Sequence, residues 1–414
     1  MYLADDAVAG MAMRPLAGVR VVELGIWVAA PAAAAMLADW GADVVKVEQP
    51  GGDPNRHTLR HVGHDADAEP PFELDNRGKR SVVLDLREQA GQDALDRLLG
   101  WADVFLTNLR PGALERLGLD PGSLRSRYRR LIIGTLTGYG WAGPERDRAG
   151  YDVSAFWART GIAAMLNPAG DPPPGIRPGM GDRMAAANLV AGVLAALHYR
   201  ERTGDGGVVD VCLLRSGIYA AGNDLALQQY FGKRGRTRPR TEHESPLYNC
   251  YRAADGRWFW LVALEGSRHW PGLVRALDRP DLAADERFAT GSARRANGKT
   301  LIALLDQEFG RHDLAEWARR FERWDVWWAP VQTLAEVVTD PQAAAIGAFI
   351  DHPGMAGAPP IRTVASPVRF WDEADPQPGP APALGEHTSQ VLGELGLNAA
   401  PAVSRNGADV EDHG

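Results

Sequence analysis

Lysine is nearly missing from this chain. It stands only at positions 46, 79, 233 and 299, so arginine supplies almost all of the positive charge and no single arginine cluster identifies a ligand. The net charge of −8 argues against general nucleic-acid binding, which needs a basic surface. Two cysteines, Cys212 and Cys250, are too few for a disulfide framework or a thiolate zinc site, and they fit a reducing compartment. No basic-then-apolar leader opens the chain. The longest apolar runs, residues 27–37 (interrupted by Pro31) and 189–197, fall short of a bilayer span. No serine or cysteine stands in a G-x-S-x-G setting, which removes the nucleophile-elbow hydrolases. The expectation is a soluble, cytoplasmic protein without a membrane or nucleic-acid partner.

What is present is alternation. The β-branched run at 19–25 predicts a strand, residues 31–40 a helix with proline in its first turn, and 42–47 a second strand. Further strands are predicted over 80–86, 103–107, 131–137 and 208–214, with an amphipathic helix over 89–100. Strand, helix and strand repeated at this spacing define an α/β protein with a doubly wound parallel sheet. Past residue 230 the character changes. The basic, turn-rich 232–240 reads as a linker, and Asp255-Gly256 between two short apolar runs is a hairpin signal. Helical patterns fill most of 268–349, which with the hairpin makes a smaller α+β domain. The proline-rich 376–382 leads into a last helix at 385–395 that returns to the first domain. The boundaries read as 14–228 for the first part of the large domain, 229–246 for the linker, 247–340 for the small domain, 341–403 for the return segment and 404–414 for a disordered tail.

Several patterns carry chemistry. Gly138-Tyr139-Gly140-Trp141-Ala142-Gly143 has the dinucleotide spacing and follows a strand, but a polar loop comes after it instead of a helix, so nicotinamide and flavin are rejected. His57, His61 and His64, with Asp53 and Asp65, fit no zinc spacing, and a solvated loop with no metal is the expectation there. Asn76-Arg77-Gly78-Lys79-Arg80 is a compact positive turn suited to a phosphorylated ligand. Asn108 to Gly112, with Arg116 a helical turn later, follows another strand. Gly179-Met180-Gly181-Asp182 then delivers one carboxylate to the start of an apolar helix. There Asp182 either caps the helix or, with its ionised form favoured by backbone N–H groups and the helix dipole, acts as a nucleophile. The residues alone give an α/β protein with a phosphate-bearing ligand and a candidate carboxylate nucleophile.

The ordered blocks Pro15–Glu23, Leu37–Glu48, Asn76–Arg80, Ala102–Gly118, Thr137–Pro144, Tyr151-Asp152, Gly181-Asp182 and Leu384–Thr388 resemble the class III CoA-transferases over almost the whole chain. This family includes formyl-CoA and carnitine CoA-transferases and α-methylacyl-CoA racemases. The resemblance implies a Rossmann-like large domain built from both chain ends, an inserted small domain and an interlocked homodimer. It makes coenzyme A the acyl carrier, with acyl-CoA and a carboxylic acid as substrates and no metal. It places the nucleophile at Asp182, with Tyr151 and Asp152 beside it. It places coenzyme A contacts at Val28, Ala29, Gln49, Leu84, Arg87, Asn108, Leu109, Ala113, Arg116 and Leu117. Val28 stands where the transferases have a glutamine and Gln49 where they have an arginine, departures that argue against formyl and oxalate substrates. The racemases carry histidine at the Tyr151 position. An unperturbed tyrosine, with pKa about 10, is a poor base, so Tyr151 favours transfer over racemisation. A racemase or isomerase, and a non-catalytic acyl-CoA binder, are the alternatives.

Overall fold

A computed structural model describes residues 14–61, 63, 69–168, 170–232, 237–263, 265–353, 360–370 and 378–397. Six strands, β1 (Arg20–Leu24), β2 (Asp43–Glu48), β3 (Arg80–Val83), β4 (Val104–Thr107), β5 (Ile132–Thr137) and β6 (Val208–Cys212), form one parallel sheet in the order β3-β2-β1-β4-β5-β6. The order reverses between β1 and β4, so the loops after these two strands flank a crevice at the C-terminal edge of the sheet. Val21, Val22, Val45, Phe105 and Ile133 are fully or nearly fully buried, as strands covered on both faces require. The helix Ala29–Asp39 is buried along nearly its whole length because its alanines let it lie close to the helices Pro70–Asn76 and Met180–Thr203.

The chain divides into two compact units. The first holds the sheet and consists of the residues up to Ile162, Gly175–Leu225 and those from Ala344 onward. The second unit, Ala163–Pro174 with Ala226–Ala343, carries the antiparallel strands β7 (Tyr248–Arg252), β8 (Trp258–Val262) and β9 (Trp328–Pro330). Its core is aromatic: Tyr251, Phe259, Phe309, Trp317 and Phe321 pack ring against ring beneath that sheet. The first unit also contains a two-stranded antiparallel pair, β10 (Phe349–His352) with β11 (Ile361–Val364).

The return of the chain seals the open edge of β3. His387 N–H donates to the Ser81 carbonyl, Val83 N–H donates to Thr388 Oγ1, and Gly385 N–H donates to Ser81 Oγ. Arg56 ties the same segment down, donating to the Pro382 carbonyl while it grips Glu48 with two nitrogens. The Leu384–Thr388 block thus satisfies backbone groups that an edge strand would leave exposed.

Beneath the sheet's central strands lies a fully buried ion cluster. Glu23 accepts from Lys46 at 2.9 Å and Lys79 at 2.5 Å, and Lys46 also meets Asp53 at 2.8 Å. Burial opposes the Glu23 carboxylate, but Lys46 and Lys79 together overcome it and hold its pKa below the ordinary value. Burial also pushes Lys79 down, to about 8, despite the pull of Glu23.

Three expectations change here. The Asn76–Arg80 turn is not a phosphate site: Arg77 forks onto buried Asp39, Lys79 is buried on Glu23, and Arg80 bridges Asp43 and Glu394. Its positive charge is consumed by carboxylates of the fold itself. Asp53 is no part of a solvated loop, being 1% exposed and paired with Lys46, and Pro54–His61 is helical; His64 and Asp65 lie outside the described residues. The helix Met180–Thr203 reaches 24 residues and is by length and composition apolar enough to cross a membrane, longer than its 189–197 run suggested. It packs on β5, β6 and the helix Ala29–Asp39, which makes it a helix of the fold. Trp40, at the end of the helix Ala29–Asp39, is buried edge-on against Phe370.

Replacing Glu23 with Gln leaves two lysines without their shared counter-charge. The expected loss is about 3–5 kcal/mol of stability, read from the urea midpoint. A loss below about 1 kcal/mol would show that the lysines hold the sheet without it.

Candidate active site

Two neighbouring features occupy the C-terminal edge of the sheet. The first is a cavity of about 560 Å³ lined by the ends of β1 and β2, the Gln49–Asp53 loop, residues Leu84–Arg87 after β3, and Leu109 and Leu117. Its walls are largely aliphatic, and its acids are already engaged: Glu48 by Arg56, Asp53 by Lys46 and Asp85 by Arg87. Of the positions that resemblance assigns to coenzyme A, Gln49, Leu84, Arg87, Leu109 and Leu117 line this cavity. Val28, Ala29, Asn108, Ala113 and Arg116 do not. Asn108 performs a structural task at the crevice, since its side chain accepts from the Ile26 N–H and donates to the Ile26 carbonyl. The loops after β1 and β4 are thereby locked together. Arg116 is exposed beside Leu117, and Ala113 is partly buried in the same short helix.

The second feature is the start of the helix Met180–Thr203. Gly179 is its N-cap with φ of 84°, a backbone setting that glycine adopts without strain. Gly181 lies so close to the Asp152 and Phe156 side chains that a Cβ there would stand 2.7–2.8 Å from them. Asp152 is 5% exposed and accepts from the Gly181 N–H at 3.3 Å, pinning the turn that precedes the nucleophile candidate. Val28 packs on Gly179 from the β1 loop, and the Trp27 ring meets Tyr151 edge-on at 6.3 Å. Trp27 itself has φ of 65°, an uncommon setting for a bulky residue, held where its N–H donates to Asp53. One short loop therefore runs from the cavity, at Ile26, to the helix start, at Val28.

Asp182 falls in the first turn, partly buried, and no hydrogen bond reaches its carboxyl among the described residues. Burial, then the charges of Asp152 and Asp75, raise its pKa to about 7, against the opposing pull of Arg183. This corrects the expectation that N–H donors would favour the ionised form. The helix-start amides stay uncommitted to the side chain, and two other acids face it. Asp75 and Arg183 were not foreseen. They form a forked pair at 2.7 and 3.3 Å across 108 positions of sequence, and no local pattern marks either. Among the described residues no group of three or more His, Cys, Asp or Glu is arranged to hold a metal ion.

A parallel sheet with an apolar cavity at its topological switch point, and a bare carboxyl one loop away, defines an α/β protein of the ligand-binding class. The comparisons give that class its family: the chain belongs to CoA-transferase family III, whose sequence model matches residues 16–388. It is an acyl-CoA:carboxylate CoA-transferase by class. The chain is 33% identical over 388 residues to (R)-2-hydroxy-4-methylpentanoate CoA-transferase of Clostridioides difficile, covering 92% of this chain and 96% of that one. It is 33% identical over 384 residues to cinnamoyl-CoA:phenyllactate CoA-transferase of Clostridium sporogenes, covering 92% and 93%. A solved CAIB/BAIF family protein from Brucella suis superposes with a TM-score of 0.80 at 32% identity, covering 92% of this chain and 99% of that one.

The raised acid has a stability consequence. Folded Asp182 holds its proton up to about pH 7, whereas the unfolded chain releases it near the ordinary value of 3.8, so stability falls as pH rises between these limits. Asp182→Asn removes that cost. Its melting temperature should match the wild type near pH 4, exceed it increasingly up to pH 7 and hold a constant gain above. A gain that is the same at every pH would contradict the raised pKa.

Proposed function

We propose that this enzyme moves CoA between an acyl-CoA and a free carboxylic acid through an anhydride at Asp182. The observation that carries the reading is the bare, partly buried carboxyl in the first turn of the helix, beside the cavity loop. Water and hydrogen bonds that would blunt a carboxylate's nucleophilicity are largely withdrawn, and a pKa near 7 keeps an ionised fraction available. An Asp182 oxygen attacks the thioester carbon, the C–S bond breaks and CoA thiolate departs. The acceptor carboxylate then attacks the aspartyl carbonyl and expels the donor acid. The thiolate attacks the acceptor's acyl carbon, which restores the Asp182 carboxylate and forms the new thioester. Asp152 holds the turn through Gly181, and the cavity wall positions the carrier.

The relatives' names specify a branched aliphatic and an aromatic 2-hydroxy acid. Trp27, Tyr151 and the exposed Met180 beside the nucleophile supply apolar and aromatic surface, which supports acyl groups of that bulky, apolar kind. An acid with pKa near neutrality also suits proton transfer at an α-carbon, so a racemase or isomerase is the second reading. A homodimer belongs to the same proposal. Tyr219, Tyr230 and Phe231 are 84%, 87% and 62% exposed in the single chain, rings that a second copy would cover. Sedimentation should give twice the 44.8 kDa chain mass, and a monomer at micromolar concentration would remove this part.

The reaction is tested by incubating the enzyme with isovaleryl-, phenylpropionyl- and succinyl-CoA, quenching with hydroxylamine and mapping peptides by mass spectrometry. A hydroxamate is expected at Asp182, absent in Asp182→Ala, which should lose turnover yet still bind CoA. Full turnover by Asp182→Ala would sink the mechanism. Deuterium entering the α-carbon with no adduct would select the isomerase.

A further inference from the structure

We propose that Asp75 is a positioning residue for Asp182, seating the first turn of the long helix through Arg183 and presenting a second acid to the reacting carboxyl. The inference rests on the reading of Asp182 as the nucleophile. Asp75 is 1% exposed near the end of the helix Pro70–Asn76, and both of its oxygens accept from Arg183, the residue directly after Asp182. A forked arginine–carboxylate pair fixes orientation as well as distance, so the backbone that carries Asp182 is tied to the neighbouring helix. The pairing also engages the guanidinium closest in sequence to the nucleophile. Arg183 would otherwise be free to turn onto Asp182, and an ion pair there would quench its attack.

Asp75 has a fixed seat because its own helix is anchored. Just beyond the helix end, Lys79 is bonded to Asn76 and Glu23, and Arg77 is forked onto Asp39. The ion cluster below the sheet is thus continuous through Lys79 with the nucleophile's surroundings. The charged groups acting on Asp182 are Asp152, from the segment before the 153–158 turn, Asp75, from the 70–76 helix, and Arg183, from its own helix. The helices Ala29–Asp39 and Leu213–Ala220 and the strands β5 and β6, which also pack against the long helix, carry Asp39, Arg215 and Asp210, none of which acts on Asp182. Of the opposing pair, Asp75 acts on Asp182 more strongly than Arg183 does.

The test needs no substrate, so it stands apart from the hydroxylamine experiment, whose failure would remove the nucleophile and leave this coupling intact. Melting temperatures of the full chain are measured from pH 4 to 9 for the wild type, Asp182→Asn, Asp75→Asn and the double variant. With Asp75 present, the gain from Asp182→Asn should level off near pH 7. In the Asp75→Asn background it should level off about one pH unit lower, because a like charge no longer opposes ionisation. Asp75→Glu, which keeps the charge, should restore the original window. A purely structural Asp75 would lower every melting temperature and leave the window in place, and that result would overturn the proposal. If Asp75→Asn alone does not fold, Asp75→Asn with Arg183→Met removes the pair together, a change that buried pairs often tolerate. The window must then move in the same direction, and an unmoved window overturns the proposal equally.

Discussion

Glu23 shared between Lys46 and Lys79 is the interaction on which the first unit depends. Three charged side chains, each fully buried, join β1, β2 and the start of β3 under the crevice. None would be tolerable alone, because the cost of burying a lone charge exceeds what any single hydrogen bond returns. Their mutual satisfaction fixes how the strands carry their loops. Lys46 also donates to the Gly25 carbonyl and meets Asp53, so the same ammonium sets the loop after β1 and the turn after β2. Asp53 in turn accepts from the Trp27 N–H and holds that residue in its strained backbone setting.

The cavity and the placement of Asp182 are products of this arrangement. A doubly wound sheet gathers its strand-end loops at one edge, and Asn108 clamps two of them across the switch point. The glycines at 179 and 181 let the long helix begin against that edge, with Asp152 pinning its first turn. Positioning here is done by buried polar contacts within a rigid frame, the condition that the proposed covalent route requires.

Much of this was legible in the sequence. The β-branched apolar runs located the six strands within a residue or two at most ends, because strands buried on both faces leave a continuous apolar signature. Asp182 could be placed at a helix start from two glycines and the alanine-rich run that follows. The electrostatics were not legible. Arg77, Lys79 and Arg80 look like a free cationic turn until their partners at Asp39, Glu23 and Asp43 are known, and those partners lie 37 to 56 positions away. The helix dipole suggested an ionised Asp182, while burial first and then Asp152 and Asp75, from elements distant in sequence, oppose ionisation. Charge is read locally in a sequence and felt through space in a fold.

The seal on β3 bears on how the protein is made. Arg56 reaches a carbonyl 326 positions further along the chain, and Ser81 waits for Gly385 and His387. During synthesis the central strands emerge early, yet the β3 edge has no cover until nearly the whole polypeptide has left the ribosome. Until then a strand edge stands open to pairing with other chains, the state most prone to aggregation. Production of this enzyme is therefore sensitive to any truncation that removes Leu384–Thr388, which uncovers one of the first strands made.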